Sequence, residues 1–194
     1  AEPVVLDVSQ SDQIAPAVNA IEATLGRIDI LVNNAAIPDK TFATKMSLED
    51  IDRAFNTNLR GPWILSCEVA RRLIAAQAPG WIVNISSMGA YVNSGRAMAA
   101  SLYSTTKAGL IRMTETHAME WAKFNINVNA IAPGTFTSEM VDGMIERIGD
   151  GFLNNFPRPR VGRTDQLDST LLFLVSPSSD FVTGTCIKVD DGQM

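Results

Sequence analysis

Short apolar runs alternate with helical stretches along this 194-residue chain, and four of the runs end in small or polar residues. Such alternation specifies a parallel sheet with crossover helices on both faces, an α/β doubly wound architecture. Residues 3–8 read as a buried strand ending at Asp7 and Val8. Residues 10–25 place Ile14, Val18, Ile21 and Leu25 at helical spacing, and Gly26 closes that helix. Further strands are predicted at 28–32, 81–85, 126–132 and 186–189. Ser47 and Asp50 are predicted to form a capping box, opening a helix with Leu48, Ile51 and Phe55 on one face. A helix over 101–123, a looser helical excursion over 135–156 and a helix near 164–176 complete the pattern. With no repeat, linker or low-complexity tract, residues 1–194 are expected to form one domain.

Composition removes several function classes. Apolar residues make up 46% and charged residues 19% of the chain, which excludes disorder. Sixteen Lys and Arg stand against 21 Asp and Glu, so the net charge of −5 argues against nucleic acid as a partner. Two cysteines, Cys67 and Cys186, build no disulfide framework and suit a reducing compartment, so a cytoplasmic location is expected. One histidine, His117, excludes a histidine-rich metal site, and no metal is expected. No apolar run is long enough to cross a bilayer, so no membrane association is expected. The first residues lack both the basic region of a signal peptide and an initiator Met.

In a doubly wound sheet the functional residues lie beyond the carboxyl ends of the strands. Here those ends are Asp7 with Val8, residues 33–36, Ser86 with Ser87, and Pro133 with Gly134. Each alone reads equally well as a turn; four on one rim point to a cleft. The sharpest local feature is Y-S-T-T-K at 103–107, which puts Tyr103 and Lys107 on one helix face. Lowering a phenol from about 10 to about 7 takes on the order of 4 kcal/mol. A lysine charge ~4 Å away supplies ~1 kcal/mol in water but about 4 at an effective dielectric of about 20. The pair therefore acts as an acid or base only where water is partly excluded. A surface Tyr and Lys that never meet a substrate would give the same spacing.

Ser87 ends a strand beside the one carrying residues 33–36, where its hydroxyl can bond a carbonyl oxygen. Ser86 competes for that role, and of two strand neighbours only one faces the cleft; a plain strand cap also explains the pair. N-L-R-G-P-W at 58–63 interrupts a helical pattern. Pro62 has no amide hydrogen for the carbonyl four residues earlier, which frees the backbone oxygen of Asn58.

Together these residues resemble the short-chain dehydrogenase/reductase family. The likeness includes D-V at 7–8, N-N-A-A at 33–36, N-L-R-G-P at 58–62, N-I-S-S at 84–87 and Y-S-T-T-K at 103–107. It continues through N-A-I-A-P-G at 129–134, R-V-G-R at 160–163 and V-T-G-T…V-D-D-G at 182–192. The resemblance implies a Rossmann-type fold and an oxidoreductase that moves a hydride between NAD or NADP and a small alcohol or ketone. It implies that Tyr103 is the general acid/base, that Lys107 binds the nicotinamide ribose and lowers the Tyr103 pKa, that Ser87 polarises the carbonyl, and that Asn58 holds a relay water. By the same resemblance Asp7 and Val8 flank the adenine, and Asn33, Ala35 and Ala36 the adenosine side. Tyr103 and Lys107 also touch the cofactor, and Pro133, Gly134, Phe136 and Ser138 run past the nicotinamide. Met88, Arg96 and Met140 are candidates for substrate contact. A homotetramer or homodimer built on the helices around 47–78 and 103–122 is implied as well.

The chain departs from the family in several places. Ala36 and Ser138 stand where Gly and Thr are usual, and Asp191 where a Gly is usual near a subunit contact. Ser87 and Tyr103 are 16 residues apart, a few more than usual, and the extra length at 94–102 carries Arg96, able to meet an anionic substrate or simply solvated. No G-x-x-x-G-x-G precedes Asp7. The resemblance implies that two strand–helix units, on the order of 60 residues at roughly 30 each, are missing at the front, and that in the sheet their strands lie between the 3–8 strand and the 28–32 strand. The sequence is therefore expected to belong to a longer chain, and residues 1–194 alone to be unable to fold stably or hold a dinucleotide. The apolar stripe of Met140, Val141, Met144, Ile145 and Ile148, with Phe152 and Phe156, matches the family's substrate lid, though core packing would produce it too. His117 lies nearly off the face of Tyr103 and Lys107 and is read as structural. A non-catalytic relative serving as a binding or scaffold domain is the alternative reading, and a serine hydrolase using Ser87 and His117 lacks the G-x-S-x-G elbow.

Overall fold

A computed structural model of the chain describes residues 1–92 and 99–193, without the side chains of Met144, Arg147, Ile148 and Asp150. Its sheet has four parallel strands, β1 Ile30–Asn33, β2 Gly80–Ile85, β3 Ile126–Pro133 and β4 Cys186–Val189, in the order β1-β2-β3-β4. The helices are α1 Ser11–Leu25, α2 Leu48–Phe55, α3 Gly61–Ala75, α4 Ser101–Trp121, α5 Glu139–Ile148 and α6 Asp168–Leu174.

Alternation along the central strands divides the core between the two faces of the sheet. Ile82, Ile126 and Val128 pack with Val69 and Leu73 of α3 and with Ala118 and Trp121 of α4. Val83 and Ile131 face the other way, onto Leu174 of α6. Each fully buried Leu or Ile here contributes roughly 1.5–3 kcal/mol. Buried on both faces, β2 and β3 need the near-continuous apolar sequence they have. The polar exceptions are paired: Asn33 Nδ2 donates to Asn84 Oδ1 at 2.8 Å and to Ser66 Oγ at 2.9 Å, and Asn84 Nδ2 donates to Thr114 Oγ1 at 2.9 Å.

Residues 3–8 do not form the predicted buried strand. They join no ladder, and Val5 is 98% exposed. An extended run becomes a strand only beside a partner, and the two strands that the resemblance puts next to it are not among these residues. What fixes the end of the run is local: Gln10 N donates to Asp7 O at 3.0 Å, and Val8 lies against Gly61, where a Cβ would strike the Val8 carbonyl oxygen. β1 consequently pairs on one side only, leaving Ile30 and Val32 partly exposed.

The helix at Ser47 starts as predicted, with half of the capping box in place. Ser47 Oγ accepts from Asp50 N at 3.1 Å, and the Asp50 carboxylate accepts from Ser47 Oγ at 2.9 Å instead of reaching back to the backbone. Its apolar face is not covered: Leu48 and Phe55 are exposed. The predicted break near Gly61 and Pro62 is a wide π-helical turn over Asn56–Arg60, and the chain then continues directly into α3.

Candidate active site

Because the strands are parallel, their carboxyl ends share one rim. The first two turns of helix α4 carry Tyr103 and Lys107, and Lys107 reaches the end of β2 at Ile85 O. Ser86 and Ser87, which follow β2, separate as strand neighbours must. Ser86 is buried and donates to Lys107 O at 2.8 Å, fastening α4 to the sheet. Ser87 is half-buried, accepts from Gly89 N at 3.0 Å, and meets the Tyr103 phenol in a hydrogen bond. The competition between the two serines thus resolves to Ser87 at the cleft and Ser86 in the frame.

Lys107 is 2% exposed. Its Nζ donates to Ile85 O at 2.7 Å and stands 5.6 Å from the centre of the Tyr103 ring. Burial lowers the Lys107 pKa to about 8. The Tyr103 phenol does not show the acidification expected from Lys107. Burial pushes its pKa up, the Ser87 hydrogen bond pulls it down, and the negative charge of Asp39 pushes it up again. Desolvation wins because the phenolate is a charge that must be held in a site with little water.

Asn58 is fully buried. Oδ1 accepts from Ile37 N at 2.8 Å, while Nδ2 donates to Ile37 O at 2.9 Å and to Thr106 Oγ1 at 3.2 Å. The π-helical turn gives Asn58 this inward aim, and such insertions are frequent at functional sites.

With this geometry in place, the likeness to known proteins becomes decisive. The family profile described as enoyl-(acyl carrier protein) reductase matches residues 1–193. The chain is 39% identical over 192 residues to the 3-oxoacyl-[acyl-carrier-protein] reductase of Thermotoga maritima, covering 98% of this chain and 76% of that protein. The chain belongs to the short-chain dehydrogenase/reductase family. Its fold superposes with a TM-score of 0.90 on a gluconate 5-dehydrogenase from Burkholderia cenocepacia in complex with NADP and tartrate, at 32% identity, over 97% of this chain and 73% of that one. It superposes with a TM-score of 0.85 on a 4-hydroxyisoleucine dehydrogenase complexed with NADH, at 30% identity, over 98% of this chain and 78% of that one. Like them, this short-chain dehydrogenase/reductase is an oxidoreductase that uses a nicotinamide cofactor.

The residues present fit the nicotinamide half of such a cofactor. Lys107 has spent one donor on Ile85 O and retains others for ribose hydroxyls, and Tyr103 with Ser87 stands beside it. The chain has no glycine-rich strand-to-helix turn for the pyrophosphate; the helix after Asp7 and Val8 is α1, whose Gln10 N-cap makes no side-chain cap bond. Asp7 is exposed at the rim and keeps its carboxylate acidic by accepting from the Ser9 hydroxyl and amide. Ala35 is exposed and Ala36 half-buried just beyond β1, whereas the Asn33 side chain is committed to Asn84 and Ser66. Pro133 ends β3, and Gly134 presses so closely on the C-terminal turn that a Cβ would meet Gln193 Oε1 at 2.7 Å. Phe136 packs its ring against Gly162, and Ser138 caps α5 by accepting from Val141 N at 3.3 Å.

Met88 is half-buried in the turn next to Ser87, and Met140 half-buried at the start of α5. Arg96 lies outside the described residues. His117 is wedged between Trp63 and Trp121, with ring centres 4.6 and 4.1 Å away, in keeping with a structural place. Sequence reasoning missed Asp39 and Thr106. The signal for Asp39 was indirect: α4 opens after Ala100, which carries no capping side chain, so the helix had to find a cap elsewhere.

Proposed function

We propose that this enzyme interconverts a small-molecule alcohol and its ketone, with Tyr103 as the group that carries the proton. The observation that supports this best is Tyr103 and Lys107 one helical turn apart on α4, with Lys107 Nζ 5.6 Å from the centre of the phenol ring and Ser87 beside the phenol. In the reducing direction the phenol gives its proton to the carbonyl oxygen, and in the oxidising direction the phenolate takes one from the hydroxyl. Ser87 donates to the same oxygen and holds it as its charge grows. The nicotinamide supplies or accepts the hydride at the neighbouring carbon. Lys107 orients the ribose, and Asn58, fixed on Ile37, holds the site of a relay water.

The choice between NAD and NADP is settled by assaying both with one carbonyl substrate, such as a 3-oxoacyl thioester or a keto-sugar acid. Tyr103→Phe lowers cofactor-dependent turnover about 10²–10⁴-fold; undiminished turnover in that variant rejects the assignment. Two features support a homotetramer or homodimer in a reducing, cytoplasmic setting. Leu48, Phe55, Trp63 and Met119 expose apolar surface on α2, α3 and α4, and both cysteines are free thiols. The lid reading of residues 135–156 rests on α5 and on its amphipathic turn, whose Phe152 and Phe156 rings meet edge to face at 5.7 Å.

A further inference from the structure

Asp39 sits in the loop between β1 and α2, and at 5% exposure it is the one buried carboxylate residue among the described residues. Its two oxygens are both spent on the first turn of α4. Oδ2 accepts from Leu102 N and Oδ1 from Tyr103 N, each at 2.9 Å. These amides have no partner within the helix, and Ala100, the residue at the cap position, supplies none. Nor does the first turn contain an acidic side chain of its own. The cap comes from more than sixty residues earlier in the chain.

The loop bearing Asp39 is itself held. Both backbone groups of Ile37 are bonded to Asn58, Asn58 reaches Thr106 Oγ1, and Thr106 Oγ1 donates to Tyr103 O at 2.7 Å. The main chain of Tyr103 is therefore gripped at its nitrogen by Asp39 and at its oxygen by Thr106. We propose that Asp39 is a positioning residue for the reaction, a carboxylate that clamps the start of α4 onto the loop after β1 and so fixes the Tyr103 phenol against Ser87. This deepens the assignment of Tyr103 as the proton-carrying group.

The clamp has an electrostatic consequence. The charge on Asp39 opposes ionisation of the phenol, adding to the effect of burial. Other charged groups face this region. Lys40, next in the loop, is paired with Asp50 of α2 at 3.1 Å, and Arg53 of α2 shares the small cavity beside Asp39. Lys107 of α4 lies beside the phenol, and Arg60 of the π-helical turn is exposed to solvent.

Titration of tyrosinate absorbance near 295 nm reads the phenol directly and needs neither substrate nor turnover, so it stands even if the assignment of Tyr103 to catalysis fails. The chain has two tyrosines, and burial holds the other, Tyr91, up to about 12. Tyr103→Phe identifies which step belongs to Tyr103. Asp39→Asn, which removes the charge but keeps an acceptor for the cap, is expected to move the Tyr103 step to lower pH; Asp39→Ala, which also releases the phenol from Ser87, is expected to place the step above that of Asp39→Asn. In the holoenzyme the pH profile of kcat is expected to move the same way. A purely structural Asp39 lowers the melting temperature in these variants but leaves the phenol step in place, and that result overturns the proposal. In the unmutated protein, the Leu102 and Tyr103 amides are expected to resist hydrogen exchange, although first-turn amides ordinarily exchange fast; rapid exchange of both equally overturns it.

Discussion

Asn58 and Ile37 are joined twice, the amide of one side chain satisfying both the N–H and the C=O of the other residue's backbone at 2.8 and 2.9 Å. A loop that follows a strand end normally leaves such groups to water. Here they are spent inside the protein, which holds the loop after β1 at one height above the sheet. Asn58→Ala leaves two backbone groups of Ile37 without partners, at about 1–3 kcal/mol for each that stays buried. The expected loss of 2 kcal/mol or more is measured by urea unfolding, and a loss below ~0.5 kcal/mol contradicts it.

The two adjacent serines are predicted to fail in different ways. Ser87→Ala lowers kcat/KM by about 10²–10³-fold, as loss of one donor to a developing oxyanion does, with little change in melting. Ser86→Ala removes the bond to Lys107 O at 2.8 Å and costs about 1 kcal/mol of stability, with a smaller effect on rate. Steady-state kinetics and thermal melts on the two variants distinguish these outcomes, and a reversed pattern exchanges the roles.

Lys107 makes stability depend on pH with a definite sign. Its native pKa is lowered from 10.5 to about 8, so between those values the unfolded chain binds the extra proton. Stability from this group is lowest below pH 8, where a buried charge is maintained, and rises as pH climbs towards 10.5, by on the order of 3 kcal/mol at most. Lys107→Met removes the effect. The stability difference between wild type and variant should therefore shift in favour of wild type between pH 7.5 and 9.5, measured by denaturant unfolding; a shift in the other direction rules out a depressed lysine.

Asp191 stands where the family usually has glycine, and its φ of +56° shows why glycine suits the position. Its carboxylate accepts from Arg158 at 3.0 Å and from Arg160 at 2.6 Å, and these partners hold its pKa below the usual carboxylate value. Asp191→Gly relieves the backbone and loses both ion pairs. Since exposed pairs are screened, the variant gains on wild type as NaCl rises, in melts at low and high salt. The contribution of the pairs is present above the ordinary carboxylate range and fades as pH falls through the lowered native value.

Much of this molecule was legible in its residues. Four strand positions agree to within two residues, because apolar runs closed by Asn, Ser or Pro at a strand end have few other uses. The Tyr103–Lys107 spacing was legible for a similar reason: a helix fixes which side chains share a face. Residues 3–8 misled because an apolar run announces burial but not the partner that provides it. The phenol's pKa was misjudged because spacing reveals the nearby cation, while desolvation depends on everything packed around the ring. Asp39 stayed hidden because its partner amides are distant in sequence, and backbone N–H groups leave no mark in composition.

The two ends of the excursion after β3 are sewn together: Gly162 N donates to Thr135 O, and Thr137 N to Gly162 O, both at 2.9 Å. A segment tied at its neck can swing, open or be lengthened without tugging the sheet out of register. Variation in the twenty-odd residues between can therefore be absorbed there, and the pairing of β3 with its neighbours is left undisturbed.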